Sequence, residues 1–244
     1  MNLDGLLIMA RLGWLVGIVL LQITNLAHAG ELTPFENKYS AKLYGFTIDV
    51  TSKLNAQADG IFEFSFDANS TLGRVTETSQ FKWNSAEDFA TPLQYHYKRT
   101  GVGKNKEQIL NFDWAKNEVI NTKNDARMAL DASKKIQDSL SYQLQLRQDL
   151  MAKKKNLSYL ITNAKKNKEY KFEIVGDEVL DTPLGKVNTV KIKRVQTSDE
   201  RETYAWFAKD FQYLLVRLQQ EENGSAYTIY ISKASLNGKA IEHF

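Results

Sequence analysis

The sequence predicts a mainly β protein: an antiparallel β-barrel or strongly curved half-barrel with one amphipathic helix packed in or across its concave face. Along most of the chain apolar side chains recur at every second residue, as in Phe62, Phe64 and Phe66. This is the period of a half-buried strand. Turn residues separate the runs at short intervals, which favours hairpins over βαβ crossovers. We expect about eleven strands, and a sheet of that size tends to curl.

Later segments repeat this alternation. They are Leu110–Trp114, Tyr170–Ile174, Val187–Val195, Arg201–Phe207, Tyr213–Gln220 and Ala226–Ser232. Between the last two, Asn223-Gly224 is typical of a type I′ hairpin turn, because both residues tolerate positive φ. The sequence therefore predicts a series of hairpins and meanders.

One segment breaks the two-residue period. From Asp131 to Lys155, residues such as Ile136, Leu140 and Leu144 recur at helical spacing, which predicts a helix with one apolar face. Asp131 is expected to cap its N-terminus, and lysines at the far end complement the helix dipole. We expect this helix to cover the open face of the curved sheet.

The first 29 residues predict export. A short apolar run follows Arg11 and ends in Ala27-His28-Ala29, the pattern of a cleaved secretory signal peptide. Cleavage after Ala29 leaves residues 30–244 as a single β-rich domain, located most simply in a bacterial periplasm and without a transmembrane span. Translation could start at Met1 or at Met9.

Composition argues against most enzyme classes. The chain has no cysteine, which excludes thiolate chemistry, zinc–thiolate sites and iron–sulfur clusters. His96 and His243 are the histidines left after cleavage. The sequence contains no phosphate loop, nucleophile elbow or metal-ligand spacing. We therefore expect no enzymatic activity, no metal and no cofactor. A net charge of +3 argues against nucleic-acid binding, and we expect a monomer.

Two polar residues lie in the apolar stripe of the predicted helix. At 100° per residue, Gln143 and Arg147 fall among Leu140, Leu144 and Met151. A guanidinium in that position either forms a structural ion pair inside the fold or grips the anionic head group of a ligand. In the second interpretation, Arg147, Leu140, Leu144 and Gln143 are the candidate ligand-binding residues.

Lysines are concentrated just after this helix. Eight basic residues against two acidic ones fall between Arg147 and Lys171. The candidate anion-contacting residues are Lys153, Lys154, Lys155, Lys165, Lys166 and Lys168. After export, the available polyanions are lipid head groups, lipopolysaccharide phosphates and acidic glycans, but a plain solvated surface explains the same pattern.

Four motifs resemble the exported bacterial DUF3108 family, a domain of unknown function. They are Tyr39-Ser40-Ala41-Lys42-Leu43, the segment from Gln137 to Arg147 (QDSLSYQLQLR), Thr182–Val187 (TPLGKV), and the pair Trp206–Asp210 (WFAKD) and Leu214–Arg217 (LLVR). The similarity extends from about Thr33 to Glu242. In the last motif Leu215 replaces a proline that is usual in the family. The resemblance implies an exported β-rich protein and no known activity.

The predicted architecture also resembles, more distantly, the half-barrels of periplasmic lipoprotein carriers, although fold alone does not fix function. Our leading hypothesis is a non-enzymatic envelope protein that binds a lipid-like amphiphile in its concave face. The alternative is a structural or adaptor protein that binds a protein or glycan partner through a strand edge or the lysine-rich surface.

Overall fold

The computed structural model describes residues 32–43, 46–196, 201–222 and 225–244. The predicted signal peptide and the predicted hairpin tip Asn223-Gly224 lie outside these residues. The described elements are β1 (Phe35–Leu43), β2 (Phe46–Ala56), β3 (Ile61–Ser70), β4 (Gly73–Asn84), β5 (Phe89–Gly101), β6 (Lys106–Asp113), β7 (Glu118–Asn121), β8 (Ala126–Ala129), α1 (Ser141–Met151), β9 (Leu157–Thr162), β10 (Asn167–Thr182), β11 (Gly185–Val195), β12 (Arg201–Ala208), β13 (Leu214–Glu222), β14 (Ser225–Leu236) and β15 (Lys239–Ile241).

The strands form one antiparallel sheet. Its order is β8-β7-β6-β5-β4-β3-β2-β1-β14-β13-β12-β11-β10-β9, with β15 added to β14. The pairing of β1 with β14 joins the two halves of the chain. In the described ranges the ladder does not connect β8 to β9, although Thr162 Oγ1 lies 3.6 Å from Met128 Sδ. The predicted curved half-barrel is confirmed.

The expected strand count was too low. The sheet has fifteen strands in the described part of the chain rather than about eleven. Strands β7, β8 and β15 contain only four, four and three residues. A segment that short shows too few alternations to reveal a period of two.

The alternating aromatic residues build the core, as their spacing predicts. Phe64 meets Phe35 edge-on with ring centroids 5.8 Å apart, and Phe62 stacks on Phe81 at 5.9 Å. These rings belong to one apolar cluster with residues from both halves of the sheet and from the helix segment. The start of the helix therefore shares this main core with the inner face of the sheet, whereas Leu146 and Leu150 pack in a second cluster with residues of β9, β11 and β12.

The helix starts ten residues later than predicted. Asp131 caps a short 3-10 helix, Ala132–Lys134, and its side chain accepts a hydrogen bond from the Ser133 backbone. Farther on, Gln137 N donates to Leu160 O (2.8 Å) and Gln137 O accepts from Thr162 N (3.0 Å). The segment is extended here because it satisfies backbone groups on the open edge of β9.

Asp138 takes the capping role that was expected of Asp131. One carboxylate oxygen accepts from the backbone N–H groups of Leu140 (2.8 Å) and Ser141 (2.7 Å). The other accepts from the Ser79 hydroxyl at 2.6 Å. Burial raises the pKa of Asp138, and these hydrogen bonds oppose that effect only in part.

The helix also ends earlier than predicted, at Met151. Lys153 N donates to Leu150 O, and Lys154 N donates to Asp149 O, the bond pattern of a Schellman motif. Lys153 has a φ of 55°, the left-handed conformation that this motif requires.

None of the helices in the described ranges is both long and apolar enough to cross a bilayer.

The helix lies inside the half-barrel, with eight of its eleven residues buried. Gln145 of the helix and Gln137, which precedes it, are buried and bond to backbone groups at the start of β5. Gln145 Oε1 accepts from Ala90 N at 3.0 Å, and Gln145 Nε2 donates to Asp88 O at 2.8 Å. Gln137 Nε2 donates to Ala90 O at 3.0 Å. Two glutamines thus complete the edge of β5 where β6 does not reach it.

Candidate binding cavity beneath the helix

A cavity of about 210 Å³ separates α1 from the inner face of the sheet. Its wall comes from β1–β3, β10–β14 and α1, and most of the lining side chains are aromatic or aliphatic. Two of the described lining residues, Arg147 and Arg194, are cationic, and none is anionic. An apolar cavity of roughly 150 Å³ is already large enough to bind benzene. This cavity can therefore accept a substantial apolar group.

The cavity is closed at one end and open at the other. Thr203, Ala205 and Phe207 of β12 follow its length, and Thr203 and Phe207 are about 13 Å apart at 3.3 Å per residue. Phe207 and the neighbouring Leu214 are buried, whereas Thr203 is partly exposed. We call the Phe207 side the closed end and the Thr203 side the open end.

Arg147 lines the closed end and is only 4% exposed. Its Nε donates to Gln212 O at 2.7 Å, and its guanidinium carbon lies 4.7 Å from the centroid of the Phe35 ring. Its Nη1 is buried and has no hydrogen-bond partner among the described residues. Burial lowers the pKa of Arg147 to about 10, so the group remains a cation at neutral pH.

Asn37 and Tyr39 of β1 lie at the same end. Asn37 Nδ2 donates to Tyr39 Oη at 3.2 Å, and Tyr39 Oη donates to Leu215 O at 3.0 Å. Asn37 Oδ1 is buried without a partner among the described residues. Burial raises the pKa of Tyr39, and the nearby charge of Arg147 opposes that rise. The closed end therefore holds one unpaired donor and one unpaired acceptor.

Arg194 lines the open end. Its guanidinium carbon lies 3.6 Å from the centroid of the Tyr170 ring, and Tyr142 meets the same ring edge-on at 5.4 Å. Burial raises the pKa of Tyr142, and the charge of Arg194 opposes the rise. Arg194 is partly exposed. Solvent therefore reaches this cation, whereas Arg147 is buried.

The structure brings three of the four predicted ligand-binding residues to one wall. Gln143, Leu144 and Arg147 line the cavity. Leu140 does not: it lies before the first turn of α1, where it is buried in the main core. Of the two interpretations of Arg147, the structural ion pair finds no support, because no carboxylate in the described ranges affects the pKa of the guanidinium.

The predicted lysines lie outside the cavity wall. Lys153–Lys155 precede β9, whereas Lys165, Lys166 and Lys168 lie around the turn after it, so the strand separates the two groups. Lys154 Nζ pairs with Asp149 (2.7 Å) and Asp88 (3.1 Å). All six lysines are exposed, and their contact with an anionic surface remains a prediction.

Three residues of the cavity wall were not among the candidate site residues predicted from the sequence: Asn37, Tyr39 and Arg194. A signal was available for two of them. Asn37 stands in phase with Phe35 and Tyr39, and Arg194 in phase with Val190 and Ile192. A polar side chain that points to the inner face of a strand is buried unless it lies near the end of the strand. Such a side chain needs a hydrogen-bond partner.

These features define a class of protein: a curved antiparallel sheet around a buried helix, with an apolar, cation-lined cavity between them. A sequence model described as "Protein of unknown function (DUF3108)" matches residues 38–232. The chain therefore belongs to the DUF3108 family, as the sequence motifs predicted. No curated protein matches the chain.

One of the solved structures that match the chain shares its architecture at low sequence identity. A β-barrel-like DUF1849 protein from Brucella abortus has a TM-score of 0.52 and 8% identity, over 84% of this chain and 98% of that one. A candidate lipoprotein from Parabacteroides distasonis has a TM-score of 0.27 and 12% identity, over 86% and 95%. A candidate exported protein with a YmcC-like fold from Bacteroides fragilis has a TM-score of 0.27 and 12% identity, over 83% and 94%. At 8% identity, the first similarity concerns the fold alone.

Proposed function

We propose that this protein is a non-enzymatic binding protein for an anionic, lipid-like component of the cell envelope. The observation that carries the proposal is the buried guanidinium of Arg147, which lines an apolar cavity with one nitrogen unpaired. A buried charge is costly unless it is paired and hydrogen-bonded. The missing partner is an anion, and the surrounding wall suits an apolar chain.

The size of the cavity fits part of an acyl chain. Each buried methylene contributes about 0.8 kcal/mol, and ordering the ligand opposes this gain. The space of about 210 Å³ takes the first part of such a chain, and the remainder would leave through the open end beside Thr203. Binding of this kind needs no catalytic group.

The cellular location in the proposal comes from the leader. Residues 1–29 have the pattern of a cleaved signal peptide, which would deliver the protein to the periplasm. Mass spectrometry of the periplasmic fraction is expected to find a polypeptide that begins at Gly30. Unprocessed protein found only in the cytosol would contradict this part of the proposal.

Native mass spectrometry of protein purified from cells tests the binding function. We expect a bound amphiphile on the wild-type protein. Ala205 lines the cavity, so Ala205→Phe should fill part of it and abolish this species. Ala129 is exposed on β8, and Ala129→Phe is the matched control that should keep the ligand. Ligand-free wild-type protein, or equal occupancy in both variants, would contradict the proposal.

One observation favours the adaptor alternative. β9 pairs with β10 only as far as Phe172, so the rest of β10 has an open edge within the described ranges. Exposed apolar side chains, Ile174, Val175 and Val179, lie along it. Such an edge can pair with a strand of another protein. Val175→Lys would weaken this pairing, and co-purification of a partner that Val175→Lys abolishes would support the adaptor function.

A further inference from the structure

We propose that the ligand is a single-chain carboxylic acid bound with its carboxylate at the closed end, beside Arg147, and that a hydroxyl group on the chain near the carboxylate strengthens binding. This inference rests on the proposed function and adds to it the ligand class and orientation. It follows from where the two unpaired polar atoms lie.

The position of Arg147 determines the orientation. The closed end is formed by buried side chains, including Phe35, Phe207 and Leu214. A ligand that entered with its tail first would place methylenes against an unpaired cation. A ligand that enters with its head first pairs the cation and leaves the tail along the apolar wall, which is the arrangement of lower free energy.

The donors that remain free favour a carboxylate. Nε of Arg147 is already bonded to Gln212 O, whereas Nη1 of the same side chain is buried without a partner among the described residues. One positive charge balances one negative charge. A phosphate monoester carries about −1.5 to −2 charges, more than the single positive charge at this end balances.

The second unpaired atom points to a hydroxyl group. Asn37 Oδ1 is an acceptor and is buried, so a carboxylate oxygen beside it would be repelled. The Tyr39 hydroxyl cannot donate to Asn37 Oδ1, because its proton is already donated to Leu215 O. A hydroxyl on the carbon chain near the carboxylate would donate to Asn37 Oδ1 while the carboxylate accepts from Arg147.

Arg194 has a different role in this arrangement. It lies at the open end, is partly exposed and is stacked on Tyr170. A cation that water can reach does not need an anion from the ligand. Arg127 of β8 is therefore the matched control for Arg147, because it is an exposed guanidinium group outside the cavity wall.

The test measures the affinities of dodecanoate and dodecanol for the purified protein by calorimetry. We expect the wild-type protein to prefer the acid by about ten- to a hundred-fold, the range for a hydrogen bond to a charged group. Arg147→Met should abolish this preference, Arg147→Lys should keep part of it, and Arg127→Met should leave it unchanged. The Arg147→Lys variant guards against loss of folding in Arg147→Met.

β-Hydroxydodecanoate tests the role of Asn37. It should bind the wild-type protein several-fold more tightly than dodecanoate, and Asn37→Leu should remove that difference while the preference for acid over alcohol remains. Equal affinities for the two acids would overturn the hydroxyl preference. Equal affinities for acid and alcohol would overturn the carboxylate orientation but leave amphiphile binding intact. If no compound bound, the proposed function itself would fail.

Discussion

Arg147 and Phe35 meet at the closed end of the cavity, with the guanidinium carbon 4.7 Å from the ring centroid. A desolvated cation–π contact contributes about 2 kcal/mol, whereas taking a charge out of water costs several kcal/mol. The ring and the bond to Gln212 O therefore compensate the burial of Arg147 only in part. In the ligand-free protein this side chain is a source of instability, as side chains kept for binding commonly are.

Replacement of Arg147 by Met is therefore expected to stabilise the ligand-free protein. The change removes a buried, incompletely paired charge and keeps the apolar contact with Phe35, so the free energy of unfolding should rise by about 1 kcal/mol. Urea unfolding of delipidated protein measures this. Arg127→Met is the control, since Arg127 is an exposed residue of β8, and it should have little effect. A loss of about 2 kcal/mol or more in Arg147→Met would indicate that the guanidinium is structural.

Replacement of Gln145 by Leu is expected to destabilise the protein. The Gln145 amide bonds to Ala90 N and Asp88 O, and each buried backbone group left without a partner costs about 1–3 kcal/mol. We expect a loss of about 3 kcal/mol in urea unfolding. Gln94 is exposed and bonds to Asn111, so Gln94→Leu is the control with little effect. Similar losses in both variants would show that the glutamine does not secure the edge of β5.

The sequence allowed the sheet to be predicted much better than the helix. Apolar and polar residues alternate because one face of each strand is buried. Phe62, Phe64 and Phe66 therefore indicate a strand whatever the curvature of the sheet. The helix stripe was misleading because Ile136 is buried by contacts distant in sequence, not by a helix face. Ile136 precedes Gln137, whose backbone bonds to β9. A local sequence pattern gives no indication of such a backbone contact between distant segments.

The cavity was predictable only in part. Gln143 and Arg147 stand out because they are polar within an apolar stripe, and both line the cavity. The strand residues that complete the closed end, Asn37 and Tyr39, come from the other end of the chain. Their proximity to Arg147 depends on the pairing of β1 with β14, which has no local signature in the sequence.

Lys153 offers a test of how the helix ends. Its φ of 55° costs an L-residue roughly 1–2 kcal/mol relative to glycine, which adopts this conformation freely. Lys153→Gly should therefore raise the free energy of unfolding by about 1 kcal/mol, measured by urea unfolding. Lys155→Gly is the control, because Lys155 is not among the residues with positive φ, and it should be slightly destabilising. A loss of stability in Lys153→Gly would contradict the Schellman ending.

Asp138 should make the stability of the protein depend on pH in an uncommon direction. Burial raises the pKa of this carboxyl in the folded state, so the native protein holds the proton more tightly than the unfolded chain does. The contribution of Asp138 is fully present below the unfolded pKa, about 3.9, and is lost as pH rises through the folded pKa. Burial also raises the pKa of Glu77, which acts in the same direction.

Comparison of the wild-type protein with Asp138→Asn isolates this effect. Asparagine keeps an oxygen for the N–H groups of Leu140 and Ser141 and does not titrate. The free energy of unfolding of the wild type, minus that of Asp138→Asn, should therefore fall as pH rises above about 4. Asp67→Asn is the control, because Arg74 lowers the pKa of Asp67 and its contribution is lost toward acid instead. A difference between wild type and Asp138→Asn that grew with pH would mean that the buried carboxyl is stabilised as the anion.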